Sequence, residues 1–118
     1  MAMGALFVGW GLTVRGREQK ALEVFQEVLQ YYGRLQQQGE IDSFEPVLLE
    51  PHGGDLAGFV LVKGNAEKLA RLRGSDEFIS LNTRGQLVVE NLGVTGAFVG
   101  DGLQGLMADF SKQIAALG

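Results

Sequence analysis

Cysteine is absent from all 118 positions, which excludes disulfides, thiolate metal sites, a cysteine nucleophile and thiol redox chemistry together. Histidine occurs once, at His52, so a metal centre would have to pair it with carboxylates such as Glu45, Glu50 or Asp55. No recognised ligand spacing is present, and no metal is expected. Basic charge is in deficit, with 10 Lys and Arg against 14 Asp and Glu and a net charge of -4. That balance opposes a polyanion, so no nucleic-acid partner is expected. No apolar run approaches the ~18 residues of a membrane span, and Met1 to Val8 lacks the basic start of a secretory signal. The expectation is a cytoplasmic protein with no membrane partner. G-x-S-x-G, H-E-x-x-H and P-loop patterns are missing as well, which leaves hydrolase, zinc-protease and P-loop chemistry without support.

What the chain does have is glycine, 18 residues of it, and enough length for a single domain over 1–118 with one proper core. Leu6, Val8, Trp10, Leu12 and Val14 alternate with Phe7, Gly9, Gly11 and Thr13, the period of a strand. After Gly16 the period changes: Leu22, Phe25, Leu29, Tyr32 and Leu35 form one helical stripe from Glu18 to Gln38, widened by Ala21, Val24 and Val28. Gly39 suits the left-handed position past the helix end. Ile41 to Leu49 reads as a second strand, and Pro46 places it at a sheet edge or bulge. Pro51 to Asp55 is a turn, and Leu56 to Val62 a third strand that closes an antiparallel hairpin. Asn65 caps a helix that Gly74 stops, and Ser75 caps a further turn or two. The fourth strand lies in Gln86–Val99, in its second half from Leu92. Leu103, Leu106, Phe110, Ile114 and Leu117 then mark an added C-terminal helix.

The order is β-α-β-β-α-β, an α+β ferredoxin-like sandwich with an antiparallel sheet and helices on one face. A weak internal repeat supports two halves: Val14-Arg15-Gly16 with Lys20 matches Val62-Lys63-Gly64 with Lys68, each read as a strand followed by a helix. Leu56 to Val62 is apolar throughout, so both faces of the sheet are expected to be covered. Two helices cover one. Either the C-terminal helix folds over the other or a second copy does, and a homodimer is the expected answer. Val60 is expected on that second face.

Several segments together resemble the dimeric α/β-barrel superfamily: the strand with Trp10, the long helix, the hairpin around His52, the Lys63-Gly64-Asn65 strand end, Arg73 to Phe78, and Val88 to Val94. The resemblance covers nearly the whole chain and implies two ferredoxin-like subunits with their sheets face to face. Members include cofactor-free monooxygenases, isomerases, haem proteins and proteins without a known role, so the resemblance leaves function open. His52 would be the only candidate for a haem ligand. No catalytic motif of that superfamily maps onto this sequence.

Candidate chemistry is therefore read from single residues. His52 is the one side chain with an ordinary pKa near neutrality, although its place between Pro51 and Gly53 is that of a solvated turn tip. Glu45 and Glu90 fall in strand-like runs, where a buried carboxylate can act as acid or base and an edge carboxylate merely pairs with arginine. Gly9 and Gly11 either leave a pocket beside Phe7 and Thr13 or admit another element closely. With Trp10, Phe59 and Phe98 these residues are the expected pocket walls. Gly100-Asp101-Gly102-Leu103-Gln104-Gly105 matches G-x-G-x-x-G, but too little chain follows for the second parallel strand a dinucleotide site needs. Gly58-Phe59-Val60 is similar to the middle of an RNA-recognition strand but lacks a second stacking aromatic. The functional expectation is a small-molecule-binding protein, in one form a cofactor-independent enzyme, with its pocket between helices and sheet or inside the dimer. The alternative is a non-catalytic binding or oligomerisation module.

Overall fold

The computed structural model describes residues 3–118. Four strands and four helices follow one another as β1 (Met3–Trp10), α1 (Glu18–Gln37), β2 (Ser43–Leu48), β3 (Gly58–Asn65), α2 (Ala66–Arg73), α3 (Asp76–Gln86), β4 (Gly93–Ala97) and α4 (Gly100–Leu117). The sheet order is β2-β3-β1-β4, with every neighbouring pair antiparallel. β2, which carries Pro46, is an edge strand as expected, where a missing N–H costs least.

Local chemistry sets the element ends. Asn65 Oδ1 accepts from the N–H groups of Glu67 (3.0 Å) and Lys68 (3.1 Å), and Ser75 Oγ accepts from Phe78 N–H (3.3 Å). These caps satisfy donors that the first helical turn leaves free. Gly39 takes φ +76°, the left-handed turn that ends α1. α3 runs for 11 residues, longer than the turn or two expected, because Phe78, Leu81 and Gly85 are all buried against the sheet side of the molecule.

Strand alternation assigns the two faces. Leu6, Val60 and Val62 face the helices and pack with Tyr31, Tyr32 and Leu35 of α1, Leu69 of α2, and Phe78 and Leu81 of α3. Val60 and Val62 are fully buried, each contributing about 1.5–3 kcal/mol by removal from water. The expected place of Val60 on the opposite face is thereby corrected. The strand register puts its neighbours Phe59 and Leu61 there instead.

Two further expectations change. β1 stops at Trp10, because Gly11 turns its N–H to Glu90 O (2.7 Å) and Val14 its N–H to Val88 O (2.9 Å). Residues 11–14 thus pair with 88–90 outside the main sheet, and Leu12 is 67% exposed. The proposed repeat is consequently out of step: Lys63-Gly64 lies within β3, while Arg15-Gly16 lies in a loop beyond β1. At the other end α4 buries none of its residues and packs against β1 alone among the described elements. It does not cover the second sheet face. No helix among the described residues is long and apolar enough to cross a membrane.

Candidate functional site

The helices do not close completely over the sheet. Between α1, α3 and the inner sheet face lies a half-open cavity of about 300 Å³. Val8 and Trp10 form its sheet wall, and Val24, Phe25, Val28 and Tyr32 its α1 wall. Leu81, Asn82 and Gly85 of α3, with Val88 and Leu92 beyond it, form the third side. Leu22 and Leu48, both more than half exposed, stand at the rim.

Glycine makes room for the largest wall residue. A Cβ on Gly58 would lie 2.9 Å from Trp10 Cζ2, so the indole rests where any other residue would hold a side chain. The other side of Trp10 meets Phe25 edge to face at 5.9 Å between centroids.

Three polar side chains interrupt the apolar lining. Glu18 belongs to the first turn of α1 and accepts from Gly16 N–H (3.2 Å). Asn82 donates its amide N–H to Phe78 O (2.8 Å), which leaves the side-chain oxygen as the acceptor a ligand can use. Thr13 enters from the short bridge with Val89. Tyr32 is nearly inaccessible, and burial pushes its phenol well above the ordinary value, with the neighbouring Tyr31 acting in the same direction. It remains a neutral wall residue across the physiological range. The arrangement suits a compact, mostly apolar molecule that offers one or two polar groups at one end.

Of the expected pocket residues, the structure brings Trp10 and Thr13 to this cavity. Phe7, Gly9 and Phe59 lie on the opposite sheet face, where the Phe7 and Phe59 rings stack at 5.1 Å. The space above Gly9 is filled, since a Cβ there would fall 2.6 Å from Phe7 Cε1. Gly11 admits backbone instead, with the carbonyls of Asp55 and Glu90 within 3.0 Å of the same hypothetical atom. Neighbouring backbone thus comes close at Gly11, whereas at Gly9 the space is taken mainly by a ring of the same strand. Phe98 is 59% exposed beyond β4.

The expected polar candidates are not gathered there. Glu45 is exposed on β2, and Glu90 is exposed in the loop before β4. His52 is exposed with both ring nitrogens engaged: Nε2 lies 2.7 Å from Leu56 O, and Nδ1 accepts from Gly54 N–H (3.2 Å). Those partners assign the proton to Nε2, and the ring braces its own loop. Glu18 and Asn82 were not anticipated. Their only sequence signal is position, one helical turn either side of apolar stripe residues.

A second, polar cleft of about 170 Å³ lies between α1 and α3. Its charges are paired, Arg34 with Glu77 and Arg84 with Glu27. Beneath them the buried Tyr31 hydroxyl makes no hydrogen bond among the described residues. Burial raises its pKa and Glu77 adds to the effect, while the Ser75 hydroxyl and Arg34 oppose it. Ser75 already donates to Leu72 O (2.8 Å).

The glycine motif at Gly100 opens α4 after an antiparallel edge strand. It therefore lacks the parallel β-α-β setting of a dinucleotide site.

With the fold established, solved structures supply the comparison. A dimeric protein of unknown function with a ferredoxin-like fold from Bacteroides fragilis superposes with a TM-score of 0.61 at 13% identity, covering 80% of this chain and 94% of that one. SnoaB, a cofactor-independent oxygenase from Streptomyces nogalater, gives 0.60 at 12% identity over 84% and 94% of the two chains. A protein of unknown function from Bacteroides thetaiotaomicron, described as a possible oxidoreductase, gives 0.60 at 18% identity over 81% and 96%. No protein-family model and no curated protein matches the sequence. The chain has the ferredoxin-like fold that its sequence led us to expect.

Proposed function

We propose that this protein binds a small, predominantly apolar organic molecule in the cavity between α1, α3 and the sheet. The observation that carries the reading is a void of about 300 Å³ with aromatic and aliphatic walls and Glu18, Thr13 and Asn82 as its polar groups. An interior normally packs to crystal density, and space of this size beside Trp10 has the dimensions of a ligand site. In the catalytic form of this reading Glu18 is the proton acceptor and Asn82 orients the substrate, with no tightly held cofactor. The oxygenase of the same fold supports that form, being described as cofactor-independent. Native mass spectrometry of protein purified from its host tests the reading: a defined extra mass per chain is expected, lost in a variant whose cavity is filled by Ala21→Phe. A bare chain that also fails to take up any apolar compound offered to it would overturn the proposal.

We further infer that two copies meet through the outer sheet face as a homodimer. Phe7, Phe59 and Leu61 are only half-buried there, and α4 leaves them uncovered. One structural neighbour is described as dimeric. This contact is also the only part of the non-catalytic alternative that an observation favours, and it is compatible with a ligand site on the other side of the sheet.

A further inference from the structure

α4 leaves the body of the fold with its apolar side chains in water. Leu103, Leu106, Met107, Phe110, Ile114 and Leu117 are between 40% and 89% exposed, and among the described elements the helix touches only β1, where Gly102 approaches the Met3 carbonyl. A run of this kind on a soluble helix marks an interaction surface.

The spacing identifies the occupant. Leu103, Leu106, Phe110, Ile114 and Leu117 are separated by three, four, four and three residues. At 3.6 residues per turn, all five lie within about 40° of one line along the helix. Leaving out Met107, which lies about 60° from that line and whose mirror position is Gln113, the intervals are the same read in either direction, with Phe110 at their centre. An antiparallel copy placed by a two-fold axis at Phe110 sets Leu103 level with the copy's Leu117, Leu106 with its Ile114, and Phe110 with itself. An unrelated partner gives no reason for mirror spacing. From Leu103 to Leu117 the intervals average 3.5 residues per turn, the spacing of a helix pair with a slight left-handed supercoil.

Charge agrees with this occupant and not with a lipid surface. Asp101, Asp109 and Lys112 are the charges of α4, and each sits about 100° or more from the stripe. A two-fold seam therefore contains no charge, and the nearest acid, Asp109, is already the acceptor for Gln113 on the flank (3.3 Å). A membrane-surface helix carries several basic residues on its polar face, and here there is one.

We propose that α4 pairs antiparallel with α4 of a second copy of this chain, about a two-fold axis at Phe110. One helix face of this length offers less than the ~800 Å² per partner of a standard stable interface. The pairing thus adds to another contact between copies and does not replace it.

The absence of cysteine makes the geometry directly testable, because any thiol introduced is unique. Under a mild oxidant, Phe110→Cys alone is expected to form a covalent dimer. Leu103→Cys alone and Leu117→Cys alone are expected to crosslink about tenfold more slowly or not at all, since each lies about 21 Å from its own copy and a disulfide requires Cα atoms within ~7 Å. Mixing those two variants is expected to restore crosslinking between them. All three positions are exposed, so folding is not at issue, and circular dichroism of each variant verifies it. Equal crosslinking of all three single variants would mean parallel helices and would overturn the proposal. So would crosslinking in none, including the mixture, which would place α4 against another surface. A failure here leaves the cavity reading untouched, since that is read by ligand mass.

Discussion

Trp10 lies over the bare Cα of Gly58, with 2.9 Å separating Cζ2 from the place a Cβ would take. The same hypothetical atom meets Leu48 Cδ2 and Val47 O at 2.9 Å, one of them backbone, so the site cannot relax by moving a single side chain. Gly58→Ala is expected to destabilise the fold by about 1–3 kcal/mol through overpacking. Because Trp10 is the only tryptophan, its emission spectrum reports the displacement directly. An unshifted spectrum with unchanged denaturant midpoint would show that the indole is not held against β3.

Val60 and Leu61 are adjacent yet answer to different surroundings. Val60→Asp places a charge in the fully buried helix-facing core, at a cost of several kcal/mol, and is expected to abolish folding by circular dichroism. Leu61→Asp alters the half-buried outer face and is expected to leave a folded chain that sediments as a monomer. Loss of fold in both variants would contradict the assignment of faces.

Those two residues also show how much was legible in the sequence. An all-apolar strand states that both sides are covered but not which residue faces which side, since the register depends on partners elsewhere in the chain. The long amphipathic helix, the Asn65 and Ser75 caps and the edge position of β2 rest on local spacing and local chemistry, and they were legible. The end of β1 was not. Leu12 and Val14 continue its alternation, but the backbone at Gly11 pairs with Glu90 instead. The cavity was half legible: Trp10 and Thr13 belong to it, whereas Glu18 and Asn82 look like ordinary solvent-facing helix residues until α1 and α3 are seen to stand apart.

Alkaline pH separates the two tyrosines from ordinary surface phenols. Burial raises both pKa values above the model-compound value of 10.0. The unfolded phenol therefore loses its proton first as pH rises. Below pH 10 the unfolded and folded states hold the same phenolic protons and the contribution is fully present. Above it the unfolded state binds fewer, so stability falls, by at most about 1.4 kcal/mol per pH unit for each group. Tyr32→Phe keeps the ring and is expected to flatten this slope in urea denaturation from pH 9 to 11. A wild-type slope unchanged by the substitution would mean that Tyr32 does not carry it.

His52 braces the loop between β2 and β3 through Leu56 O and Gly54 N–H. His52→Ala is expected to speed amide exchange at Gly54 while lowering global stability by no more than about 1 kcal/mol, the usual worth of exposed hydrogen bonds. Ligand uptake by the cavity should be unaffected. A variant with intact loop protection and lost ligand uptake would return His52 to the functional site.

The most direct test of the central claim is a fluorescence titration of Trp10 with an uncharged bicyclic aromatic such as 1-naphthol, run on the wild-type chain and on Ala21→Phe. Saturable quenching at one probe per wild-type chain, with affinity reduced at least about tenfold in the filled variant (~1.4 kcal/mol), is the predicted result. Quenching that never saturates, or that is equal in both proteins, would contradict a ligand site between α1, α3 and the sheet.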